Sequence, residues 1–154
     1  TLDQFGYIIN CFSCFNRKVS RGPFSRFEVS CEVCGRLMDF AGPLWLGRMW
    51  NKEIVEGIIE VVERKNFGQK KRMKKILQKI LGEIDAEPTY YVLSRVCDFL
   101  NIHTPPLTKV TRKIEDRGYR VYPTHFNSQG IRTNMPTNVF QEVLLEMTES
   151  GRFS

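Results

Sequence analysis

The sequence predicts an α+β chain, a small antiparallel zinc ribbon followed by a helical domain with a late β-hairpin, winged-helix-like in its order. Three observations carry this. Two Cys-x-x-Cys knuckles, Cys11-Phe-Ser-Cys14 and Cys31-Glu-Val-Cys34, stand sixteen residues apart. Residues 6–46 alternate short β-like runs with turns. From Asn51 onward the apolar spacing changes to the 3.6-residue period of helices.

Each knuckle is a tight turn that aims two sulfurs at one point, and two knuckles supply the four thiolates of a tetrahedral structural zinc. Cys11, Cys14, Cys31 and Cys34 are the expected Zn²⁺ ligands. Sulfur fills all four positions, so no place remains for water or substrate, and the metal acts as a staple. A pair of disulfides fits less well: the chain shows no secretory signal, and its fifth cysteine, Cys97, is left over. Gly35, after the second knuckle, suits a turn with positive φ or a close backbone approach. Arg17, Lys18, Arg21, Arg26 and Arg36 can offset the negative centre, contact phosphates, or simply be solvated.

The β-like runs are Gly6–Asn10, Asn16–Ser20, Arg26–Ser30 and Leu37–Phe40, with Gly22-Pro23 as the central break. Gly42-Pro43-Leu44-Trp45-Leu46-Gly47 reads as a stiff apolar connector. The expected domains are therefore a ribbon over 1–48 and an α/β nucleic-acid-binding part over 49–154.

Asn51 is the expected N-cap of a first helix, with Ile54, Val55, Ile58, Ile59 and Val62 on one face. Gly68 breaks the pattern, and Met73, Ile76, Leu77, Ile80 and Ile84 mark a second helix. A third opens with Pro88 in its first turn and turns Val92, Leu93, Val96, Cys97 and Leu100 inward. Cys97 is thus a core thiol. A fourth follows Pro105-Pro106, carries Leu107, Val110, Thr111 and Ile114 inward, and stops at Gly118. Strands at Tyr119–Tyr122 and Gly130–Thr133 come next, then a helix from about Pro136 to Met147.

At 154 residues the chain holds one ordinary domain or two small ones, and 42% hydrophobic residues suffice for a core. No run of eighteen apolar residues exists, so no membrane span is expected; the expected location is the cytoplasm. The net charge of +6 favours a polyanionic partner. Lys65–Lys79 holds seven basic residues and no acid. Such a face is often only solvated, but helix surfaces normally interleave signs, and the missing acids favour nucleic-acid contact. Lys70, Lys71, Lys74 and Lys75 lead this set, with Lys109, Arg112 and Lys113 on the fourth helix, and His125 and Arg132 in the late hairpin. His125 could meet a phosphate but reads better as a hydrogen-bonded turn residue. No P-loop, Gly-x-Gly-x-x-Gly or triad spacing appears. Glu87-Pro88-Thr89-Tyr90 only superficially echoes a methyltransferase loop, since no strand and Gly-rich turn precede it.

Three further stretches act together. Gly42–Gly47, then Pro88-Thr89-Tyr90-Tyr91, then Thr124-His125-Phe126-Asn127 with Gly130-Ile131-Arg132-Thr133-Asn134 occur in this order below the cysteine pairs. In this arrangement the chain resembles the C-terminal domain of tRNA (guanine-26-N2)-dimethyltransferase, over about Gly6 to Met147. The resemblance implies a two-part enzyme. An N-terminal Rossmann-like domain would bind S-adenosylmethionine and carry an Asp-Pro-aromatic catalytic loop. The C-terminal part would hold tRNA. The donor domain is expected before Thr1, so the chain reads as a piece of something longer, and no catalytic residue carries over to it. Asn134 departs from the acidic residue common after Thr in that family, so a charged contact there would become a neutral one. The rival reading is a stand-alone zinc-ribbon and winged-helix DNA-binding regulator. A blander one is a protein-interaction module whose charge aids solubility.

Overall fold

The computed structural model describes residues 2–22 and 30–150. It is a mixed α+β fold with two antiparallel three-stranded sheets and five α-helices among those residues. The chain forms two compact units, one of 1–47, 96–103 and 135–154, the other of 48–95 and 104–134. The division expected from the sequence is continuous along the chain; these units are not, because two later segments group with the ribbon.

In the first unit, β1 (Phe5–Asn10) lies between β2 (Arg17–Arg21) and β3 (Asp39–Trp45). Ile9 pairs with Lys18 on one side and Phe40 on the other, and a register shift falls between Gly6 and Ile8. Gly6 is required by close approach: a Cβ there would lie 2.1 Å from the Ser20 carbonyl oxygen. The expected connector Gly42–Gly47 is largely strand, because β3 runs through to Trp45 against Phe5. The run expected at Arg26–Ser30 falls outside the described residues except for Ser30, which bridges to Leu37. Ile9 and Met38 bury against Cys11, Cys14 and Cys31. The last helix, α5 (Thr137–Ser150), adds buried Phe140, Val143 and Leu144 to this unit.

In the second unit, α1 (Lys52–Arg64) starts at Asn51, whose Oδ1 accepts the Ile54 amide at 3.1 Å. Of its two apolar stripes, Val55 and Val62 bury while Ile54, Ile58 and Val61 face out. The helix α2 (Lys70–Gly82) buries Ile80, and Ile84 follows just beyond it. The third helix does not open at Pro88. Tyr91–Val92 forms β4, paired with Ile131 and Gly130 of β6 (Gly130–Thr133), and α3 begins only at Leu93 and ends at Phe99, its residues from Val96 onward counting with the first unit. A strand ladder has overridden local helix propensity there. The helix α4 (Leu107–Asp116) buries Val110 and Ile114 fully, and Gly118, at φ +80°, ends it as expected. β5 (Val121–Pro123) completes the sheet in the order β4–β6–β5. No helix among the described residues is long and apolar enough to cross a membrane.

Candidate metal centre and nucleic-acid interface

The two knuckles are built alike. In the first, the Phe15 amide donates to the Cys11 carbonyl at 2.9 Å, and the Cys11 amide donates to Asn16 O at 2.7 Å. In the second, Gly35 donates to Cys31 O and Cys31 to Arg36 O, both at 2.8 Å. Each turn needs a left-handed residue after its second cysteine. Gly35 serves at φ +71°, whereas Phe15 serves at φ +61°. A non-glycine residue is held there against its preference. Phe15 recovers packing, since its ring meets Phe99 edge-to-face at 5.6 Å. The last helix also braces this knuckle, with Gln141 Nε2 donating to Cys14 O at 2.7 Å.

The four sulfurs of Cys11, Cys14, Cys31 and Cys34 lie within 4.8 Å of one another, a cluster that could hold a metal ion. The Cys11–Cys34 and Cys14–Cys31 pairs are 3.5 Å apart, and all four cysteines are free. A disulfide would need about 2.05 Å. A tetrahedral zinc with Zn–S bonds of about 2.3 Å places its sulfurs about 3.8 Å apart, inside the observed range. The donor set therefore fits zinc and not cystine.

Electrostatics agree with this. Burial works against a Cys31 thiolate, but the amides of Cys34 and Val33 and the Asn16 side chain outweigh it, and its thiol falls to about 6. The Val33 amide lies 3.4 Å from that sulfur and Asn16 Nδ2 3.6 Å. Burial and the neighbouring sulfurs push Cys14 the other way, well above the usual thiol range. Four crowded sulfurs cannot all ionise alone; a dication removes the conflict. Cys97 is fully buried outside this cluster, as expected of a core thiol.

The basic residues divide by whether a partner has taken them. Lys18 pairs with Glu32 at 3.0 Å, and Arg17 is half-buried. Lys70 Nζ donates to the Glu63 carbonyl at 2.6 Å, and Lys74 pairs with the Glu63 carboxylate. That hydrogen bond and the Lys74 charge hold Glu63 below its usual carboxylate range. The acid absent from 65–79 is thus supplied by α1, which periodicity within α2 could not show. Lys71, Lys75, Lys109 and Arg112 are exposed and Lys113 half-buried, and none has an ion-pair partner among the described residues.

His125 and Arg132 converge on one carboxylate. The Glu83 side chain, 2% exposed, accepts the His125 amide at 3.0 Å and Arg132 Nε at 2.9 Å, and also meets His125 Nδ1. Arg132 Nη1 donates to Glu87 O at 2.6 Å, leaving its side chain 11% exposed. The His125 ring lies edge-to-face on Phe126 at 5.1 Å and Trp50 at 5.6 Å. Both residues thus support the hairpin before any ligand arrives. Asn134 makes the neutral contact its identity implies, its Oδ1 accepting the Arg120 amide at 2.8 Å.

A family model described as N2,N2-dimethylguanosine tRNA methyltransferase matches residues 1–145. The chain belongs to this methyltransferase family. It is 34% identical over 148 residues to the tRNA (guanine(26)-N(2))-dimethyltransferase of Methanosphaera stadtmanae, covering 96% of this chain and 38% of that protein. The tRNA (guanine(26)-N(2)/guanine(27)-N(2))-dimethyltransferase of Aquifex aeolicus is 33% identical over 149 residues, covering 96% of this chain and 36% of that protein. A solved structure of Trm1 from Pyrococcus horikoshii with S-adenosyl-L-methionine has a TM-score of 0.75 at 26% identity, covering 93% of this chain and 36% of that one. The chain thus spans well under half the length of the relatives it matches. A stand-alone DNA-binding regulator is not favoured by these likenesses.

In this member of the N2,N2-dimethylguanosine tRNA methyltransferase family, sequence reasoning passed over Glu83. Its signal was an acid beside Ile84 and three residues after Ile80, both buried apolar positions. A carboxylate on such a face needs cationic partners, and the hairpin supplies them.

Proposed function

We propose that this chain is the tRNA-binding accessory portion of an S-adenosylmethionine-dependent tRNA guanine-N2 methyltransferase, stapled by one structural zinc on Cys11, Cys14, Cys31 and Cys34. The observation that carries this is the family match along residues 1–145. The sequence has no Gly-rich donor turn and no Asp-Pro-aromatic loop. The reading assigns donor binding and methyl transfer to an N-terminal domain of a longer protein, and that domain is a partner of this chain. Zinc, when bound, supplies cross-linking energy and no chemistry, since sulfur fills all its positions.

A guanine stacked inside folded tRNA must be exposed before its exocyclic amine reacts, which costs a few kcal/mol. Contacts to phosphates spread over a large surface offset that cost and fix register. Lys71, Lys75, Lys109 and Arg112 are placed for such contacts, being exposed and without ion pairs among the described residues. Lys113 beside them, and Lys70, Lys74, Arg17 and Lys18 after exchange of their present partners, extend the surface. The order α2–β4–α3–α4–β5–β6, with β4 paired to β6, supports a winged-helix-like reading of this part and makes α4 a candidate RNA-facing helix.

Replacing Lys71 and Lys75 together with glutamine tests the charge surface. The protein should bind tRNA more weakly whatever the sequence, and the log–log salt slope should flatten by roughly 0.7–0.9 for each phosphate the protein no longer neutralises. Melting should be unchanged, because Ile80 and the rest of the buried side of α2 are untouched. Filter binding across a salt series measures this. An unaltered slope would leave α2 a solvated face and shift the surface to Lys109 and Arg112.

A further inference from the structure

The strongest unassigned feature lies in the second unit, where α2 meets β5. Lys75, Gln78, Lys79, Gly82, Tyr122 and Pro123 line a pocket of about 360 Å³. We propose that it is a subsite for a single unstacked nucleotide of the bound RNA. The base lies on the Tyr122 ring and Pro123, Gln78 offers one donor and one acceptor to its edge, and the two ammonium groups meet the flanking phosphates. This proposal rests on the tRNA-binding reading above and names where one nucleotide goes.

Four observations favour this occupant. The pocket falls within the roughly 300–1,000 Å³ range typical of small-ligand sites. Its lining combines an aromatic ring, a proline and lysine stems with cationic tips, which suits a π-face attached to a phosphodiester and suits neither a free anion nor a lipid tail. Its walls are tied to one another. Lys79 Nζ donates to Thr124 O at 3.2 Å, and Glu83, next to Gly82, accepts the His125 amide at 3.0 Å. Tyr122 is itself paired with Arg132 in the β5–β6 ladder. Finally, Gly82 leaves its part of the wall open: a Cβ added there meets no atom within 4 Å beyond its own stretch of helix. Its place on the last turn of α2 calls for no positive φ, so the missing side chain leaves room rather than relieving strain.

Gly82→Leu adds bulk at this wall, where its Cβ has room, and leucine is the better helix former, so melting should hold or rise. Affinity for an unmodified tRNA transcript should fall by about tenfold, consistent with the worth of one base–aromatic stack. Tyr122→Leu keeps an apolar wall and removes the π-face. It should weaken binding by a similar factor while leaving the salt slope as in the parent, because every phosphate-facing cation stays in place. Ultraviolet crosslinking of tRNA to the protein should map to the peptide holding Tyr122, and Gly82→Leu should abolish that adduct. Parent-level affinity in both variants, with the adduct absent, would overturn the subsite while tRNA binding itself stands. Weaker binding with a flattened slope in Tyr122→Leu would overturn the stacking role. Failure of the parent protein to bind tRNA at all would overturn both this proposal and the reading beneath it.

Discussion

Cys31→Ser should release the metal and unfold the three-stranded ribbon while α1 and α2 stay protected. Cys31 is buried, and its sulfur takes amide hydrogens from Val33 and Asn16, so serine changes the ligand at the best-supported corner of the cluster. Binding energy at a structural zinc is folding energy, about 10–16 kcal/mol in small zinc domains at neutral pH. That is as large as the whole stability of an ordinary domain, about 5–15 kcal/mol. The cysteines are the centre of the ribbon's own small core, because Ile9 and Met38 pack on them and every residue of β3 is exposed. Metal analysis should find about one zinc per chain in the parent and little in the variant. Hydrogen exchange should speed up throughout β1–β3. Zinc-free parent protein with an intact ribbon would refute the assignment.

Glu83→Ala should be the most damaging single change in the second unit. It removes the carboxylate that neutralises Arg132 and holds the His125 amide, leaving a guanidinium only 11% exposed with its charge uncompensated. Breaking a buried pair from one side costs about 3–5 kcal/mol. For a chain of this size each kcal/mol shifts Tm by roughly 2–4 °C, so a drop of about 10 °C is expected. Glu83→Gln keeps an acceptor and should cost less. Arg132→Met should partly rescue Glu83→Ala, since it removes the stranded charge. Full additivity of the two changes would show that the pair is not coupled.

What the sequence made legible was local. The Cys-x-x-Cys spacing, the Asn51 cap, the Gly118 stop and the Gly130–Thr133 strand each depend on a few neighbouring residues, and each stands where it was expected. What escaped depends on partners far along the chain. Tyr91–Val92 is a strand only because β6 lies beside it, and Pro88 therefore opens no helix. Lys74 gives up its freedom to Glu63, eleven residues away on another helix. Glu83 gathers His125 and Arg132 from 42 and 49 residues away. The bracing of the first knuckle by Gln141 spans 127 residues. No periodicity within one helix reveals such contacts, although an acid beside a buried stripe points to one.

Whether this chain holds folded tRNA, as proposed, can be decided by competition. Labelled tRNA bound to the protein is challenged with unlabelled tRNA or with duplex DNA of equal phosphate content at one fixed salt concentration. The tRNA should displace the label at far lower concentration than the duplex, because the proposed contacts match a folded RNA surface and not charge alone. Equal or better displacement by duplex DNA would contradict it.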